Sequence, residues 1–398
     1  MRHKGTVWLL SAALMMGFMS GCSPATKQDE MLVGLLQDGY VPLVDAMVSA
    51  GFEQVPEETT SYLNADVGYS VRFDFDGGKV EKDRFTFDLP DCFVLHENQY
   101  FIRPDFLTTV VNKNFSLQSS GVMAEPADLN THEWKNQANK LVAHAGGALR
   151  DEEYRLYTYI NNVDTIVQNY DLGHRLFEVD FNQTSDGRLA ANHDWAFAGY
   201  DDGAPDSATW AAHKVRNRFQ SAFIEDIYRT MLINEDMYLI PDTKAYDMTQ
   251  EEVAAYYQSL VDIANTMNPD LLDRVIPAFY NKEMYDTIKS VYPFRSIIFT
   301  LYASEDTFEE VAAFVADKED IAVVLTPSHK KNRWFVDTLH ESGKELFVHG
   351  ANLNEIAQFA ELRRFGVDGF VTDFLTPSVM VGLESGQYLE ETIQAPTV

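Results

Sequence analysis

Two carboxylates stand in the otherwise apolar run Leu176–Phe181. Because residues two apart in a β-strand share one face, Glu178 and Asp180 are predicted to project side by side. Neighbouring carboxylates in a partly buried position repel each other, so such a pair favours a bound hard cation or a role in proton transfer. The pair alone leaves a second interpretation open, an edge strand with a solvated acidic face.

A histidine closes a short apolar run on each side of this acidic pair. His144 follows residues 140–143 and precedes two glycines, and His193 follows the run Leu189–Ala191 beyond a turn at Asp186-Gly187. One histidine after a strand is more often structural than catalytic. Two of them beside a carboxylate pair predict acid–base chemistry at strand ends.

In this order the motifs resemble those of the glycerophosphodiester phosphodiesterases and the related phosphatidylinositol-specific phospholipase C-like barrels. The resemblance covers roughly residues 139–380. It rests on a histidine near glycine, a Glu-x-Asp strand, a T-x-D-G turn, a His-Asp pair, an acid and a lysine two apart, and a closing D-G-x-x-T-D. These are matched in turn by His144, Glu178 and Asp180, Thr184–Gly187, His193-Asp194, Asp242 and Lys244, and Asp368–Asp373.

The resemblance implies metal-dependent hydrolysis of a small phosphodiester, with a glycerophosphodiester giving glycerol phosphate and an alcohol. It places a divalent cation on Glu178, Asp180 and Asp242. Both Ca²⁺ and Mg²⁺ suit a site built of oxygen ligands. We prefer Ca²⁺, because three carboxylates in a loosely shaped site tolerate its flexible coordination.

The resemblance also implies roles for four further side chains. His144 accepts the proton of the attacking hydroxyl and His193 protonates the leaving alcohol, although sequence alone allows the two labels to be exchanged. Lys244 contacts the phosphate. His349, which follows the seventh predicted strand, is predicted to be either structural or in contact with the substrate.

The chain departs from the family pattern at three places. Ala145 stands where the family has arginine, Asp242 stands where it commonly has glutamate, and its Pro-Glu-Asn-Thr segment has no recognisable counterpart in residues 150–162. Two alternatives therefore stay open: a catalytically impaired barrel that serves as a surface ligand-binding lipoprotein, and a phospholipase C- or D-like enzyme acting on lipid headgroups. The released alcohol and the oligomeric state are also left open.

The order of elements predicts an α/β fold for most of the chain. Helical stretches such as residues 249–265 alternate with short apolar strands, which indicates a parallel sheet with helical crossovers. With the resemblance, this predicts a (β/α)8 TIM barrel over residues 139–385. Functional residues in such barrels lie at the C-terminal strand ends, where the residues singled out above fall.

Residues 31–128 are predicted to form a smaller α+β domain of unknown role, joined to the barrel by a linker at 129–138. Within it, Val71–Phe75 and Arg84–Phe87 alternate apolar and polar residues and flank Asp76–Gly78, which predicts a hairpin. This segment is faintly similar to the copper amine oxidase N-terminal-like domains. It contains no cluster of copper ligands in its sequence.

The first residues have the pattern of a signal peptide, predicted over residues 1–21. Basic residues precede the apolar run Val7–Met19, which ends in Ser20-Gly21-Cys22. That ending resembles a bacterial lipoprotein signal, which implies a lipid on Cys22, a tether over residues 22–30, and a membrane-anchored location in the cell envelope outside the cytoplasm. A plain secretory signal is the alternative.

The chain is strongly acidic, with 61 acidic against 31 basic residues and a net charge of −30. This balance argues against binding to nucleic acid. It also means that an anionic substrate needs a local source of positive charge, for which a divalent cation and Lys244 are the predicted sources.

Overall fold

The protein is described by a computed structural model that covers residues 27–126, 133–328, 332–349 and 355–384. The predicted signal peptide and Cys22 lie outside these residues. The chain divides into two compact units, one of residues 1–128 with 233–235 and one of residues 129–232 with 236–398. No helix among the described residues is long and apolar enough to cross a membrane.

The first unit combines helices with antiparallel sheets, as predicted for its fold class. Its helices are α1 (Lys27–Gln37), α2 (Leu43–Ser49) and α3 (Pro104–Val111). Its strands are β1 (Val41–Pro42), β2 (Glu53–Gln54), β3 (Ser61–Asn64), β4 (Tyr69–Asp74), β5 (Lys79–Lys82), β6 (Phe85–Asp88), β7 (Phe93–His96), β8 (Gln99–Ile102), β9 (Lys113–Gln118) and β10 (Gly121–Pro126). Strands β2 to β6 form one sheet in chain order, β1, β8 and β7 a second, and β9 and β10 a pair.

The predicted hairpin is correct in its turn and wrong in its partner strand. Strand β4 pairs with β5, and β6 pairs only on the far side of β5. The sequence Lys79–Lys82 reads as polar, but Val80 and Lys82 are both fully buried. The side chain of Lys82 thus conceals the alternation that would have revealed this strand. At the start of the unit, α1 begins at Lys27, so residues 27–30 of the predicted tether are helical.

The second unit contains strands β11 (Leu141–Ala143), β12 (Leu149–Arg150), β13 (Leu156–Tyr157), β14 (Leu176–Gln183), β15 (Leu189–Ala191), β16 (Lys214–Val215), β17 (Phe219–Gln220), β18 (Ala222–Phe223), β19 (Tyr238–Asp242), β20 (Ala278–Phe279), β21 (Ile298–Thr300), β22 (Val323–Pro327), β23 (Glu345–His349) and β24 (Gly369–Thr372). Its α-helices are α4 (Val163–Asp171), α5 (Ser207–Ala212), α6 (Ile224–Ile233), α7 (Gln250–Met267), α8 (Lys282–Val291), α9 (Phe308–Val315), α10 (Arg333–Glu341), α11 (Glu355–Phe365) and α12 (Pro377–Glu384).

Eight of these strands form a ring of parallel neighbours. The order β19-β14-β11-β24-β23-β22-β21-β20 is continuous, and an isolated parallel bridge from Leu239 to Val275 joins β19 to the chain that enters β20. Strands and helices alternate around the ring. The predicted (β/α)8 TIM barrel is confirmed.

Apolar side chains from all sides of the ring meet inside the barrel. This core includes Val142, Leu176, Tyr238, Ile276, Ile298, Val323, Phe347 and Val371. Trp134 also belongs to it, fully buried, with its indole N–H donating to Ser296 Oγ at 2.7 Å. Residues 133–140 form a 3₁₀ helix, so the second half of the predicted linker is part of the barrel. The tryptophan side chain is large and mostly apolar, so its burial in the core stabilises the fold more than exposure in a linker would.

Candidate active site

Three carboxylates meet at the C-terminal ends of β14 and β19. Glu178 and Asp180 lie two apart on β14, and Asp180 is paired in register with Asp242 at the end of β19. One oxygen from each of the three lies within 4.8 Å of the others. Glu178 and Asp180 are buried. The alternative of a solvated acidic edge is therefore wrong, since β14 is an interior strand with neighbours on both sides.

Lys244 offsets part of this negative charge. Its ammonium lies 2.6 Å from Asp180 Oδ1 and donates to Asp242 Oδ2. Burial disfavours the ammonium, but the carboxylates of Asp242 and Asp180 outweigh burial and raise the pKa of Lys244. In this structure the lysine is thus bound to acids, and its contact with a phosphate stays a prediction.

The carboxylates suit a hard cation. Burial and then the neighbouring Asp180 carboxylate raise the pKa of Glu178, and the opposing positive charges of His144 and Lys244 do not offset them. Glu178 Oε2 accepts a hydrogen bond from the Ala145 N–H at 2.8 Å, whereas its buried Oε1 has no hydrogen-bond partner among the described residues. A buried carboxylate oxygen left open beside two more carboxylates is a ligand set for Ca²⁺ or Mg²⁺.

Each of the two predicted histidines is held by its own carboxylate. His144 Nδ1 lies 2.9 Å from Asp373 Oδ1, and His193 Nδ1 lies 2.7 Å from Asp194 Oδ2. Such a contact leaves Nε2 as the nitrogen for proton transfer. Burial alone would lower the pKa of His144, but Asp373 and Glu178 raise it to about 9.

Tyr159 separates the two histidines. Its ring lies edge-on to both, with centroids 4.8 Å from His144 and 5.0 Å from His193. The two imidazoles therefore flank one aromatic ring at one end of the barrel. This arrangement places a potential proton acceptor and a potential proton donor on two sides of a single space.

That space is a cavity of about 220 Å³. Its polar lining consists of His144, Tyr159, Glu178, His193, Asp242, Lys244, Tyr280, Thr300, Tyr302 and His349. The predicted site residues thus come together, and His349 faces the cavity beside Tyr302, with ring centroids 5.5 Å apart. Cys22 falls outside the described residues.

Comparison with known proteins identifies the family of the chain. The model of the glycerophosphoryl diester phosphodiesterase family matches residues 158–376, which is more than half of the chain. The chain belongs to this family. It is accordingly a phosphoric diester hydrolase. The glycerophosphodiester phosphodiesterase family generally depends on a divalent metal, and the three carboxylates are a candidate site for it.

Solved structures of this family are similar to the barrel at low identity. A glycerophosphodiester phosphodiesterase from Parabacteroides distasonis is 17% identical, with 63% of this chain and 100% of that chain covered and a TM-score of 0.49. A second from the same organism is 15% identical, with 66% and 93% covered and a TM-score of 0.48. A phosphodiesterase from Oleispira antarctica, in complex with the product sn-glycerol-3-phosphate, is 12% identical, with 61% and 96% covered and a TM-score of 0.47. No curated protein matches the chain.

Sequence reasoning missed several residues of this phosphodiesterase site. Asn161 donates to Asp180 Oδ2 at 2.9 Å and accepts from the Asp180 N–H at 3.0 Å, so it fixes the orientation of that carboxylate. It lies in the segment 150–162, which had no recognisable motif. The signal was the pair Asn161-Asn162, since Asn162 caps α4. Asp373 was visible in the closing motif, but not its partner His144.

Two tyrosines at strand ends were also missed. Tyr280 follows β20 and donates to Asp242 Oδ1, and Tyr302 follows β21 and lies 3.4 Å from the same oxygen. Together with Lys244 they hold the shorter aspartate that stands in place of glutamate. Their positions just beyond apolar strands of a barrel could have marked them.

The loop after β11 is built tightly around the site. Ala145 is fully buried with φ 50°, in the left-handed region, so the chain bends sharply after His144. At Gly146, with φ +83°, an added Cβ would lie 2.3 Å from Thr165 Oγ1. The loop backbone is therefore packed directly on α4, and no side chain fits at position 146.

Proposed function

We propose that the protein hydrolyses small glycerophosphodiesters to glycerol phosphate and an alcohol, with a divalent cation held by Glu178, Asp180 and Asp242. The observation that carries this proposal is a cluster of three carboxylates at a cavity that is also lined by two histidines, each backed by a further carboxylate. Ca²⁺ is the preferred ion, because three carboxylates in a loosely shaped site suit its flexible coordination shell.

In the proposed reaction, His144 accepts the proton of the glycerol hydroxyl next to the phosphate. That oxygen attacks phosphorus, the bond to the alcohol breaks, and His193 protonates the departing oxygen. A cyclic phosphate results, and water then opens it, with the two histidines exchanging roles to give glycerol phosphate. The bound cation would neutralise charge that develops on the phosphate and lower the pKa of His144 towards neutrality.

Lys244 and His349 complete the proposed substrate site. With Asp180 and Asp242 holding a cation, the Lys244 ammonium would be available to donate to a phosphate oxygen in the same cavity. His349 lines the cavity next to Tyr302 and is proposed to contact the substrate. Lipid attachment at Cys22, with anchoring in the cell envelope, is proposed from the Ser-Gly-Cys ending of the signal alone.

The test is product release by protein produced without residues 1–22. We expect glycerol phosphate from glycerophosphodiesters, loss of release in EDTA, and recovery with added Ca²⁺ to a higher level than with Mg²⁺. Absence of metal-dependent release from every diester tried would overturn the proposal and favour the impaired, ligand-binding barrel. Release from intact phospholipids alone would favour the phospholipase alternative.

A further inference from the structure

An aromatic surface continues from the cavity onto the rim of the barrel. The ring of Phe197 lies 6.0 Å from Tyr159 and 6.4 Å from His193, centroid to centroid, and both of these residues line the cavity. Phe197 itself is 41% exposed. A ligand that extends out of the cavity past His193 therefore meets this ring first. The proposed reaction makes no use of Phe197.

A guanidinium lies over this ring. The Arg216 Cζ is 4.3 Å from the Phe197 centroid, in the range of a cation–π contact, and the arginine is exposed. Arg216 forms no ion pair with any carboxylate in the part of the chain that the structure describes. Its charged guanidinium is thus exposed to solvent, and the ring of Phe197 lies between it and His193.

The position of Arg216 is fixed by a short hairpin. Strands β16 and β17 pair antiparallel, and the turn between them is closed by the Asn217 N–H donating to the Lys214 carbonyl at 2.8 Å. Arg218, which follows Asn217, forms an ion pair with Asp151 at 2.9 Å. The closed turn and the Arg218–Asp151 ion pair therefore hold the hairpin backbone next to Arg216, which limits the reorganisation that binding would require of it.

The charges around the cavity make Arg216 distinctive. Among the described residues that line the cavity, Lys244 is the only lysine or arginine. It is already bound to two carboxylates. Arg188 is paired with Glu225. In a chain with 61 acidic and 31 basic residues, an arginine near the cavity that has no carboxylate partner among the described residues is available to an external anion. A planar guanidinium matches a phosphate with two parallel hydrogen bonds.

We propose that Arg216, resting on Phe197, binds a second phosphate carried by the leaving alcohol, so that the enzyme prefers diesters whose alcohol is itself phosphorylated. The inference rests on the proposed function. The leaving side is indicated because Phe197 adjoins His193, the residue assigned to protonate that alcohol, whereas His144 lies across Tyr159. The substrate class is thus an anionic, doubly phosphorylated diester.

The test compares two diesters that share the same glycerophosphoryl part. In one the alcohol is glycerol, and in the other it is glycerol phosphate. For the wild-type protein we expect kcat/KM to be about tenfold higher for the phosphorylated alcohol, as a charge-assisted hydrogen bond supports, and the preference to shrink with added salt. Arg216→Ala should abolish the preference, and Arg216→Lys should keep part of it.

Arg295→Ala is the matched control. Arg295 is also exposed, pairs with Asp273, and precedes β21, so it lies at the end of the barrel opposite the site. Its removal changes the net charge equally and should leave the preference intact. Equal preference in the wild type and Arg216→Ala would overturn the inference while the proposed function stands. Loss of preference in Arg295→Ala as well as in Arg216→Ala would overturn the inference in favour of general charge steering. Cleavage of neither diester by the wild type would overturn both the inference and the proposed function.

Discussion

At the level of single residues, the two histidines proposed to transfer protons are held by different carboxylates. His144 is backed by Asp373 and lies near the carboxylate cluster, whereas His193 is backed by the adjacent Asp194. Burial raises the pKa of Asp194, but the Phe197 N–H and His193 outweigh it and lower that pKa. The two histidines thus differ in their surroundings, and substitution of each one can show which acts as the acid and which as the base.

The leaving-group dependence of two histidine variants tests this division. His144→Ala and His193→Ala should each lower kcat on a glycerophosphodiester of an alkyl alcohol by roughly 10²- to 10⁴-fold. With p-nitrophenol as the leaving group, protonation is not needed in the first step, so His193→Ala should regain most of the rate of p-nitrophenol release in a single turnover and His144→Ala should not. Recovery by His144→Ala instead would reverse the two roles. Full activity of either variant on the alkyl diester would remove that histidine from the mechanism.

Asn161 has a residue-level role that affinity for metal can reveal. The Asn161 amide donates to the Asp180 carboxylate and accepts from the Asp180 N–H, so Asn161→Ala should loosen the orientation of that carboxylate and leave Lys244 to hold it. We expect affinity for Ca²⁺ to fall by about 10- to 100-fold, as for other residues that orient metal ligands. Calorimetric titration measures this without relying on turnover. Unchanged affinity in a variant with an unchanged melting temperature would contradict the role.

At the level of elements, the sequence predicted which residues stand at strand ends, since alternation and short apolar runs are local signals. It could not predict their partners. His144 and Asp373 meet because β11 pairs with β24, which follows from closure of the barrel and not from any local pattern. Tyr280 and Tyr302 reach Asp242 for the same reason. The sequence also failed to predict the burial of Lys82 in a strand and of Trp134 in a predicted linker. Both side chains are buried by residues that are distant in the sequence, so no local pattern indicates their burial.

The packing of the loop after β11 on α4 predicts a strong effect at Gly146. Gly146→Ala should destabilise the barrel by about 2 kcal/mol or more, because alanine is strained at the left-handed backbone of this position and its Cβ would clash with Thr165. Gly187→Ala is the matched control, since Gly187 has φ +86° but nothing within 4 Å of an added Cβ, and should cost about 1 kcal/mol. Urea unfolding measures both. Equal costs would show that the loop yields to the added methyl group.

At the level of the whole molecule, the buried His174 links the stability of the barrel to pH. Burial lowers its pKa to about 4, while its ring nitrogens lie 3.3 Å from the Leu141 carbonyl and 3.1 Å from the Leu375 carbonyl. Above pH 6.5 the histidine is neutral in both the folded and the unfolded chain. Between pH 6.5 and 4 only the unfolded chain takes up the proton, so stability falls as the pH falls.

The expected loss from this residue is about 2 kcal/mol between pH 6.5 and pH 5. The difference between wild type and His174→Gln at the two pH values isolates it from the carboxylates. Tryptophan fluorescence follows the barrel, because Trp134, Trp195, Trp210 and Trp334 all belong to that unit and Trp8 lies in the predicted signal peptide. Parallel pH dependence of the two proteins in urea unfolding would contradict the assignment of a low pKa to His174.

We propose that the three carboxylates at the end of the barrel hold one divalent cation. Calorimetric titration of EDTA-treated protein with Ca²⁺ tests it most directly, with Asp180→Asn as the comparison because the amide keeps the shape of the carboxylate and removes its charge. We predict one ion per chain for the wild type and no detectable binding by Asp180→Asn at the same concentrations. Absence of binding by the wild type, or equal binding by the variant, would contradict the claim.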